Sequence, residues 1–514
     1  MADRTAPAPA LAGVAAAAVA VGVTGLLAAL FGPASDARTA VGSSVIDLTP
    51  GPVREWAITT FGTADKPMLA VAVLVIIATI AAVAATWETG RVPVGSIAIG
   101  LGGVAGCVAV LSRTGASWSA VVPTIIGTLC GIATLRLLVS EGLRDKPVAD
   151  DGVDPGRRRS LVTLGLLAAG VVSGVAGVVL SRLASSVTDD RNAFTLPRPL
   201  HPAPPVPPAV QPEGVAVPSF ITPSARFYRI DTALTVPQLS RDDWRMRIHG
   251  MTDREITLRW ADLERFEVVE KVVTLTCVSN PVGGNLISNA TWTGYRVRDL
   301  LAAAGVHSDA DMVLSTSVDG FTAGTPVDAL TDGRDALLAI GMNGEPLPTE
   351  HGYPARLVVP GLYGYVSATK WVTDLELTRF DRAEAYWTRL GWSARGPIKT
   401  ESRVDVPRDG QRVDRGPVRF GGVAWAQHRG VRAVEVRIDG PGRQGDWQPA
   451  QLGAAYSDDT WRLWSFDWTA GDAGRYTITV RATDNTGTVQ TPELADPVPD
   501  GATGWHRVTF DVTT

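Results

Sequence analysis

Five apolar stretches in the first 185 residues constrain the fold of this 514-residue chain more than any other feature. Each is close to the ~20 residues that an α-helix needs to cross the hydrocarbon core of a bilayer. Small side chains are frequent in these stretches, and small residues allow membrane helices to pack closely. The sequence therefore predicts a membrane domain over residues 1–185 with five transmembrane helices, at residues 11–31, 67–87, 94–111, 118–140 and 161–180.

Basic residues beside these stretches predict the side of the membrane on which each loop lies. Arg144, Lys146 and the run Arg157-Arg158-Arg159 crowd the loop before the fifth stretch. The positive-inside bias makes this loop cytoplasmic. Counting back puts the N-terminus, with Arg4, inside and everything after Ser181 outside. We therefore expect a multi-pass protein of the cell membrane whose later domains are extracytoplasmic.

The segment Arg157-Arg158-Arg159-Ser160-Leu161-Val162 has two interpretations that both stay open. It resembles a twin-arginine export signal, which carries folded proteins across a membrane, and it equally fits an ordinary positive-inside cluster. An export signal would imply that a cofactor is loaded in the cytoplasm before export.

The apolar stretches are interpreted as an anchor rather than as a transport or electron-transfer domain. They contain no histidine, and their one clear charge, Arg136, lies near the cytoplasmic end of the fourth, where it can snorkel to the interface. The sequence therefore predicts neither a haem-ligand pair nor a proton pathway in them.

The remaining composition excludes some classes of protein. A net charge of −5 gives no basic footprint and argues against a nucleic-acid partner. Three cysteines rule out a disulfide framework. Prolines crowd residues 196–223, so residues 186–224 are predicted to form a semi-rigid, extended linker that contributes no core.

A β-branched run at residues 272–280 delivers one cysteine, Cys277, to the turn Pro281-Val282-Gly283-Gly284. Such a run predicts a buried strand, and flexible backbone after it puts the thiol at the edge of a site. The other cysteines, Cys107 and Cys130, lie in apolar stretches, so no disulfide partner is expected. At this point the thiol can be an inert core group, a nucleophile or a metal ligand.

The segments around Cys277 predict an α+β domain over residues 225–393. Short helices are predicted at residues 257–263 and 297–304, and strands at residues 312–317 and 337–342, without a βαβ rhythm. From residue 394 short strands alternate with turns, which predicts an immunoglobulin-like β-sandwich over residues 394–514. Its predicted strands are residues 418–426, 431–438, 461–468, 476–483 and 506–512.

A set of short motifs carries a family resemblance from residue 227 onward. The motifs are Phe227-Tyr228-Arg229, Thr274-Leu275-Thr276-Cys277, Trp292-Thr293-Gly294, Met342-Asn343-Gly344-Glu345-Pro346-Leu347-Pro348, His351-Gly352-Tyr353-Pro354-Ala355-Arg356 and Thr369-Lys370-Trp371. In their order and spacing, this chain resembles the sulfite oxidase family of molybdenum enzymes. Each motif alone is weak, whereas the combination is specific.

The resemblance implies a molybdenum–molybdopterin cofactor, and no haem domain is visible in this chain. In that family one cysteine thiolate binds the metal, and Cys277 stands at the matching position. Soft thiolate ligation suits such a metal. The positions that match cofactor-contacting residues are Tyr228, Arg229, Asp319, His351, Arg356 and Lys370, of which the last three match those that hold the pterin and its phosphate.

The chain departs from the family at positions that contact the substrate. Sulfite-oxidising members carry an arginine pair shortly after the metal-binding cysteine, where this chain has Pro281 and Val282. They also carry an active-site tyrosine, for which Trp392 stands here, with Tyr386 as the alternative. We hypothesise a less positive, more aromatic pocket, which weakens the case for sulfite and suits a larger or less charged substrate such as a sulfoxide.

Three residues are then the candidates for the catalytic site, namely Cys277, Arg229 and Trp392. Arg229 is the main candidate for an anion contact, and Arg403 is a second one. The C-terminal sandwich resembles the dimerisation domain of the family in Val434-Glu435-Val436-Arg437-Ile438-Asp439-Gly440 and Arg481-Ala482-Thr483-Asp484, which implies a possible homodimer.

The sequence as a whole predicts a membrane-anchored, extracytoplasmic molybdenum-cofactor oxidoreductase. It would transfer an oxygen atom to or from a small substrate and exchange electrons with a separate carrier. Two alternatives stay open. One is a thiol enzyme with Cys277 as nucleophile and His351 as its base. The other is a non-enzymatic cell-surface binding module.

Overall fold

The computed structural model describes residues 7–50, 53, 56–57, 60–61, 65–89, 91–113, 117–143 and 155–513. They belong to two compact units, one of Met1–Ser186 with Ala233–Val236 and the other of Val187–Thr232 with Pro237–Thr514. Arg4, Arg144 and Lys146, on which the predicted orientation rests, lie outside the described residues.

The first unit is helical. Its long helices are α1 Pro7–Phe31, α2 Ala37–Leu48, α3 Asp65–Ala85, α4 Val94–Leu111, α5 Val122–Leu143 and α6 Pro155–Ser185. Among the described residues, five stretches are long and apolar enough to cross a membrane, namely Pro9–Phe31, Lys66–Ala85, Val94–Leu111, Trp118–Val139 and Ser160–Ala193. They coincide with the five predicted spans. Helix α2 was not predicted; the Asp36 side chain caps it by accepting a hydrogen bond from Arg38 N at 3.0 Å.

Glycines let α1 and α6 approach until their backbones touch. A Cβ atom added to Gly22 would lie 2.0 Å from Gly170 O, and one added to Gly170 would lie 2.5 Å from the Ala18 carbonyl carbon. One added to Gly177 would lie 2.5 Å from the backbone of Gly25. Because no side chain fits between these helices, small residues determine how they pack.

A small polar cluster joins the start of α4 to α5. Arg136 Nε donates a hydrogen bond to Ser96 Oγ at 3.4 Å, and Ser96 N and Oγ donate to the Glu88 carboxylate at 3.0 and 2.7 Å. Arg136 was predicted to reach the interface, and its side chain is also tied to Ser96.

The second unit begins with short helices and mostly antiparallel strands. Its strands are β1 Arg245–Gly250, β2 Ile256–Arg259, β3 Val268–Thr276, β4 Ile287–Arg296, β5 Met312–Ser317, β6 Thr322–Pro326, β7 Leu337–Met342, β8 Glu345–Pro346, β9 Arg356–Val358 and β10 Val372–Thr378, and its helices are α7 Thr188–Ala193, α8 Val297–Ala304 and α9 Val327–Thr331. One sheet has the order β2-β1-β10-β5-β6; the other has the order β3-β4-β7-β8, with β9 paired to β7. This architecture agrees with the predicted α+β domain. The predicted helix at residues 257–263 is instead the end of β2 followed by a 3₁₀ turn at Trp260–Arg265.

The C-terminal part forms two further sheets. Its strands are β11 Glu401–Val406, β12 Gln411–Val413, β13 Gly416–Trp425, β14 Val431–Asp439, β15 Gln448–Pro449, β16 Gln451–Leu452, β17 Arg462–Ala470, β18 Gly474–Asp484 and β19 His506–Val512. The sheets have the orders β11-β13-β17-β16 and β12-β19-β18-β14-β15. Buried residues from both sheets share one core, for example Phe420 and Trp464 with Val434 and Phe510. The immunoglobulin type of this sandwich and the boundary at residue 394 stay predictions.

The proline-rich segment at residues 196–223 packs onto the second unit, so the prediction that it contributes no core is wrong. Val210 and Phe220 are 2% and 4% exposed and belong to the main core cluster. Leu200 N donates to Val268 O at 2.8 Å, and Trp461 Nε1 donates to Phe220 O at 3.0 Å. Proline has no N–H to donate, so the remaining backbone groups of the segment pair with neighbouring elements: Leu200 N donates to β3 and Phe220 O accepts from Trp461.

Polar contacts fix the end of strand β3, which leads to Cys277. Thr274 Oγ1 donates to Asn289 Oδ1 at 2.9 Å and accepts from Trp461 N at 2.9 Å. Gln427 Nε2 donates to Thr276 Oγ1 at 2.8 Å. Residues of the C-terminal part therefore stabilise the end of β3.

The packing of α1 on α6 gives a direct test. Gly170→Val should lower the melting temperature of the helical unit, because overpacking costs about 1–3 kcal/mol and the neighbour is backbone. Gly165→Val, on the same helix but with no atom within 4 Å of an added Cβ, should have little effect. Loss of helical circular dichroism on heating in detergent measures both variants. Equal melting of the two variants would contradict this packing.

Candidate functional site around Cys277

Cys277 lies in a tight loop directly after β3. Its N–H donates to Leu286 O at 2.9 Å, and its carbonyl accepts from Asn280 N at 3.1 Å. Asn280 Oδ1 closes the loop by accepting from Leu286 N at 2.8 Å. The residue is 9% exposed, and burial raises the pKa of its thiol, although hydrogen bonds from Ser279 oppose the rise. An activated nucleophilic cysteine has a lowered pKa, so this environment does not activate Cys277 as a nucleophile.

Tyr228 lies close to the thiol. Burial raises the pKa of its hydroxyl, and the nearby Cys277 raises it further while Arg356 acts against the rise. A Cβ atom added to Gly364 would lie 3.9 Å from both Tyr228 Oη and Thr276 O. Next to Cys277, the hydroxyl of Tyr228 and the end of β3 therefore both lie close to Gly364.

Arg356 is a buried cation at the start of β9. It is 5% exposed, and its guanidinium donates to the carbonyls of His351, Leu357 and Ala368 at 3.2–3.3 Å. Within residues 155–513 no carboxylate forms an ion pair with it, and burial lowers its pKa to about 10. Burying an unpaired charge is costly. An anionic ligand would therefore be stabilised beside Arg356.

Lys370 and Arg229 share one carboxylate, that of Asp231. Lys370 Nζ and Arg229 Nε each lie 2.8 Å from Asp231 Oδ2. Lys370 also donates to Glu350 O at 3.1 Å. Burial lowers the pKa of Lys370 to about 8, while Asp231 opposes the shift. The side chain of Asp231 is 4% exposed and that of Arg229 is 41% exposed, so the ion cluster runs from the interior to the surface.

His351 is uncharged at neutral pH. Burial lowers its pKa to about 3, and the positive charges of Arg356 and Lys370 lower it in the same direction. Its ring packs edge-on against Phe227 with centroids 5.5 Å apart. Its Nε2 lies 3.3 Å from Ser224 O, which can only accept, so Nε2 carries the proton.

These residues form a positively charged cluster that fits a phosphate-bearing cofactor. Gly352, at φ +111°, lets Arg356 and Lys370 lie close to its backbone. A Cβ atom added there would lie 3.0 Å from Arg356 Cβ and 3.1 Å from Lys370 Cβ. A guanidinium and an ammonium are donors of the kind that phosphate oxygens accept from, whereas the one N–H of His351 is committed to Ser224 O. No group of three or more His, Cys, Asp or Glu among the described residues is placed to hold a metal ion. A metal bound through Cys277 therefore needs further ligands from a cofactor.

Asp319 caps its own turn. Its Oδ1 accepts from Phe321 N at 3.2 Å. The neighbouring Val318 N donates to Trp371 O at 3.0 Å, which holds this turn beside the Lys370-Trp371 segment. A contact of Asp319 with a cofactor stays a prediction.

Trp392 lies in an aromatic group. It is 8% exposed, and its ring is 5.8 Å from that of Tyr365 and 6.1 Å from that of Trp387. Tyr386, the alternative, packs against Phe321 at 6.0 Å. Their geometry is that of core packing, and a catalytic role for either stays a prediction.

Arg403 reaches the loop after Cys277 from the C-terminal sheets. Its Nη1 donates to Gly284 O at 2.6 Å, and its Nε pairs with Asp405 at 2.9 Å. His506 lies against the same loop, because a Cβ atom added to Gly283 would lie 2.2 Å from its Nε2. The loop that replaces the arginine pair of the family is therefore covered by the C-terminal sheets.

Asp231 is the site residue that the sequence analysis missed. The motif Phe227-Tyr228-Arg229 ends two residues before it, and matching to the family stopped there. The available signal was an arginine and an aspartate two residues apart, which lie on one face of an extended chain.

Comparisons with known proteins agree with this geometry. A family model described as an oxidoreductase molybdopterin binding domain matches residues 233–387. The chain is 28% identical over 355 residues to mitochondrial sulfite oxidase of Rattus norvegicus, covering 59% of this chain and 64% of that protein. It is 33% identical over 153 residues to the uncharacterized oxidoreductase YuiH of Bacillus subtilis (strain 168), covering 30% of this chain and 74% of that protein. The chain thus spans slightly under two thirds of the rat protein.

Among solved structures, the chain is similar to the sulfane dehydrogenase SoxCD from Paracoccus pantotrophus. The TM-score is 0.47 and the sequence identity is 25%, over 54% of this chain and 75% of that chain.

The lowered pKa of His351 predicts a pH dependence of stability. In the unfolded chain His351 binds a proton near pH 6.5, whereas in the folded state it binds one only near pH 3. The free energy of unfolding therefore falls as the pH drops below 6.5. Between pH 7 and pH 5 this loss is about 2 kcal/mol. His351→Gln should remove that part of the loss, whereas His201→Gln, at an exposed histidine, should not. Melting temperatures at the two pH values measure it, and an unchanged pH dependence in His351→Gln would contradict the buried, neutral imidazole.

Proposed function

The chain belongs to the sulfite oxidase family of molybdopterin-dependent oxidoreductases, and we propose that it transfers an oxygen atom to or from a small substrate with a molybdenum–molybdopterin cofactor. One observation carries the proposal. Among the described residues no carboxylate pairs with the buried Arg356, which donates to carbonyls, and Lys370 lies in the same cluster beside an uncharged His351. Arg356 and Lys370 are the donors that the phosphate of the pterin needs.

Each residue of the cluster then has a task in holding the cofactor. Arg356 and Lys370 would donate to the phosphate, and the neutral His351, whose one N–H is committed to Ser224 O, adds no charge to the cluster. Cys277 supplies a thiolate, because a bound metal keeps a coordinating thiol deprotonated even where burial alone raises its pKa. The bound cofactor supplies the oxygen-atom and two-electron chemistry.

The protein around Cys277 orients the substrate and limits access of water. Tyr228 is protonated at neutral pH, and burial raises its pKa further, so its hydroxyl is available as a hydrogen-bond donor for a substrate oxygen. The C-terminal sheets cover the loop after Cys277 through Arg403 and His506. That cover reduces solvent entry beside the thiolate.

The substrate and the electron partner are inferred from chemistry. A sulfoxide consumes two electrons and two protons and leaves a thioether and water; sulfite with water releases the same number of each and leaves sulfate. Either direction needs a separate electron carrier, since no haem-ligand pair is predicted in this chain. A homodimer formed through the C-terminal sheets belongs to the same proposal.

We also propose that the five apolar helices anchor the protein in the cell membrane. Their length and apolar composition support the anchoring. The basic loop before the fifth helix supports an extracytoplasmic location for the second unit. This side of the membrane is also where a twin-arginine signal would deliver a folded, cofactor-loaded domain.

The two alternative functions explain fewer observations. A thiol enzyme needs an activated Cys277 and a basic His351, but burial raises the pKa of the thiol and lowers that of the imidazole. A binding module without a cofactor leaves the buried charge of Arg356 uncompensated.

Removing the charge of Arg356 should remove the cofactor. Arg356→Met should lower the pterin content of the purified protein at least about tenfold, since truncating one partner of a buried charged contact costs 2–5 kcal/mol. Arg254→Met, at an exposed arginine of the same unit, should leave the content unchanged. Fluorescence of the oxidised pterin measures the content, and assays with sulfite and methionine sulfoxide measure turnover. Wild-type protein with no pterin and no turnover of either substrate would overturn the proposal.

A further inference from the structure

The carboxylate of Asp231 controls how much positive charge the site offers. It accepts from Arg229 Nε and Lys370 Nζ on the same oxygen, each at 2.8 Å, and is almost fully buried. A buried carboxylate is tolerated in its charged form only when cations pair with it. Arg229 is thereby held in place with part of its charge compensated.

The charges of the cluster match those of a phosphate monoester. Arg229, Arg356 and Lys370 are positive, Asp231 is negative and His351 is neutral, which leaves a net charge of +2. A phosphate monoester carries about −1.5 to −2 at pH 7. If the cofactor phosphate binds here, as the proposed function requires, no positive charge is left over for a second anion.

The other candidate anion contact is also compensated. Arg403 pairs with Asp405 at 2.9 Å, and its Nη1 is committed to Gly284 O. His506, which lies against the loop after Cys277, is neutral because burial, and then Arg403, lower its pKa to about 4. Pro281 and Val282 in that loop carry no charge. Of the two candidate anion contacts, both within the described residues, neither Arg229 nor Arg403 therefore offers an uncompensated charge to a substrate.

We propose that Asp231 is a specificity-determining residue, which cancels the positive charge of Arg229 so that the site selects an uncharged oxygenated substrate, such as a sulfoxide, over an anion such as sulfite. The affinity for an anion such as sulfite is then lowered, because the anion loses its hydration on binding and no cation replaces it. This inference rests on the proposed function and adds the class of substrate to it.

Sulfate is the probe, because it resembles the oxidised anionic product and takes no part in turnover. The experiment uses the full chain in detergent, with molybdenum content measured by elemental mass spectrometry. Equilibrium dialysis with radiolabelled sulfate at constant ionic strength should show no saturable binding to the molybdenum-loaded wild-type protein in the millimolar range. Saturable binding to that protein would overturn the inference without the need for any variant.

Asp231→Asn keeps the size of the side chain and removes its charge. It should increase the affinity for sulfate at least tenfold, about 1.4 kcal/mol. In assays of the same variant, the KM for sulfite should fall relative to the KM for methionine sulfoxide. Asp381→Asn, which removes the carboxylate of the exposed Arg379–Asp381 pair at 2.9 Å, is the matched control and should change neither affinity nor KM.

A second substitution identifies the released cation. In Asp231→Asn with Arg229→Gln, the gain in sulfate affinity should disappear. If the gain persists, or if molybdenum-loaded Asp231→Asn binds sulfate no better than wild type, the role assigned to Asp231 is wrong. A wild-type protein without molybdenum would overturn the proposed function itself, and the inference would fall with it.

Discussion

The positive charge of Arg356 is buried, no carboxylate of the described residues pairs with it, and the arrangement of the site depends on this one constraint. Its guanidinium donates only to carbonyls, and its planar face lies 5.2 Å from the ring of Trp292. Burial of an unpaired cation costs several kcal/mol, which packing elsewhere in the fold offsets. The neutral His351 and the Asp231-paired Lys370 follow from the same constraint, since additional unpaired charge would raise the cost further. A bound phosphate would pair with the guanidinium of Arg356 and so remove the cost of burying its charge.

The position of Cys277 depends on a different set of contacts. Strand β3 is fixed at its end by Thr274, which bonds both Asn289 and Trp461. Asn289 Nδ2 and Trp461 Nε1 both donate to Phe220 O, in the proline-rich segment. Three parts of the chain that are far apart in sequence therefore converge on one buried network. A substitution in any of them can displace the thiol without touching it.

Much of the fold follows from local patterns in the sequence. The apolar helices, helix α8 and strands β5, β7 and β19 match their predicted bounds closely, because periodicity and propensity determine them. Strands β11 and β12 were missed, since short polar strands carry little pattern. The proline-rich segment was misjudged because composition describes a free chain, whereas packing of Val210 and Phe220 is a tertiary effect. Asp231 was missed for a related reason: its partner Lys370 lies 139 residues away, and only the fold brings them together.

The central claim is that Cys277 ligates molybdenum held by a cofactor in this cation cluster. Elemental analysis combined with molybdenum K-edge X-ray absorption, on wild type beside Cys277→Ala, tests it most directly. We expect about one molybdenum per chain in the wild type, with one sulfur ligand lost, or the metal itself lost, in the variant. A wild-type protein without molybdenum, or a variant whose metal content and sulfur ligation are unchanged, would contradict it.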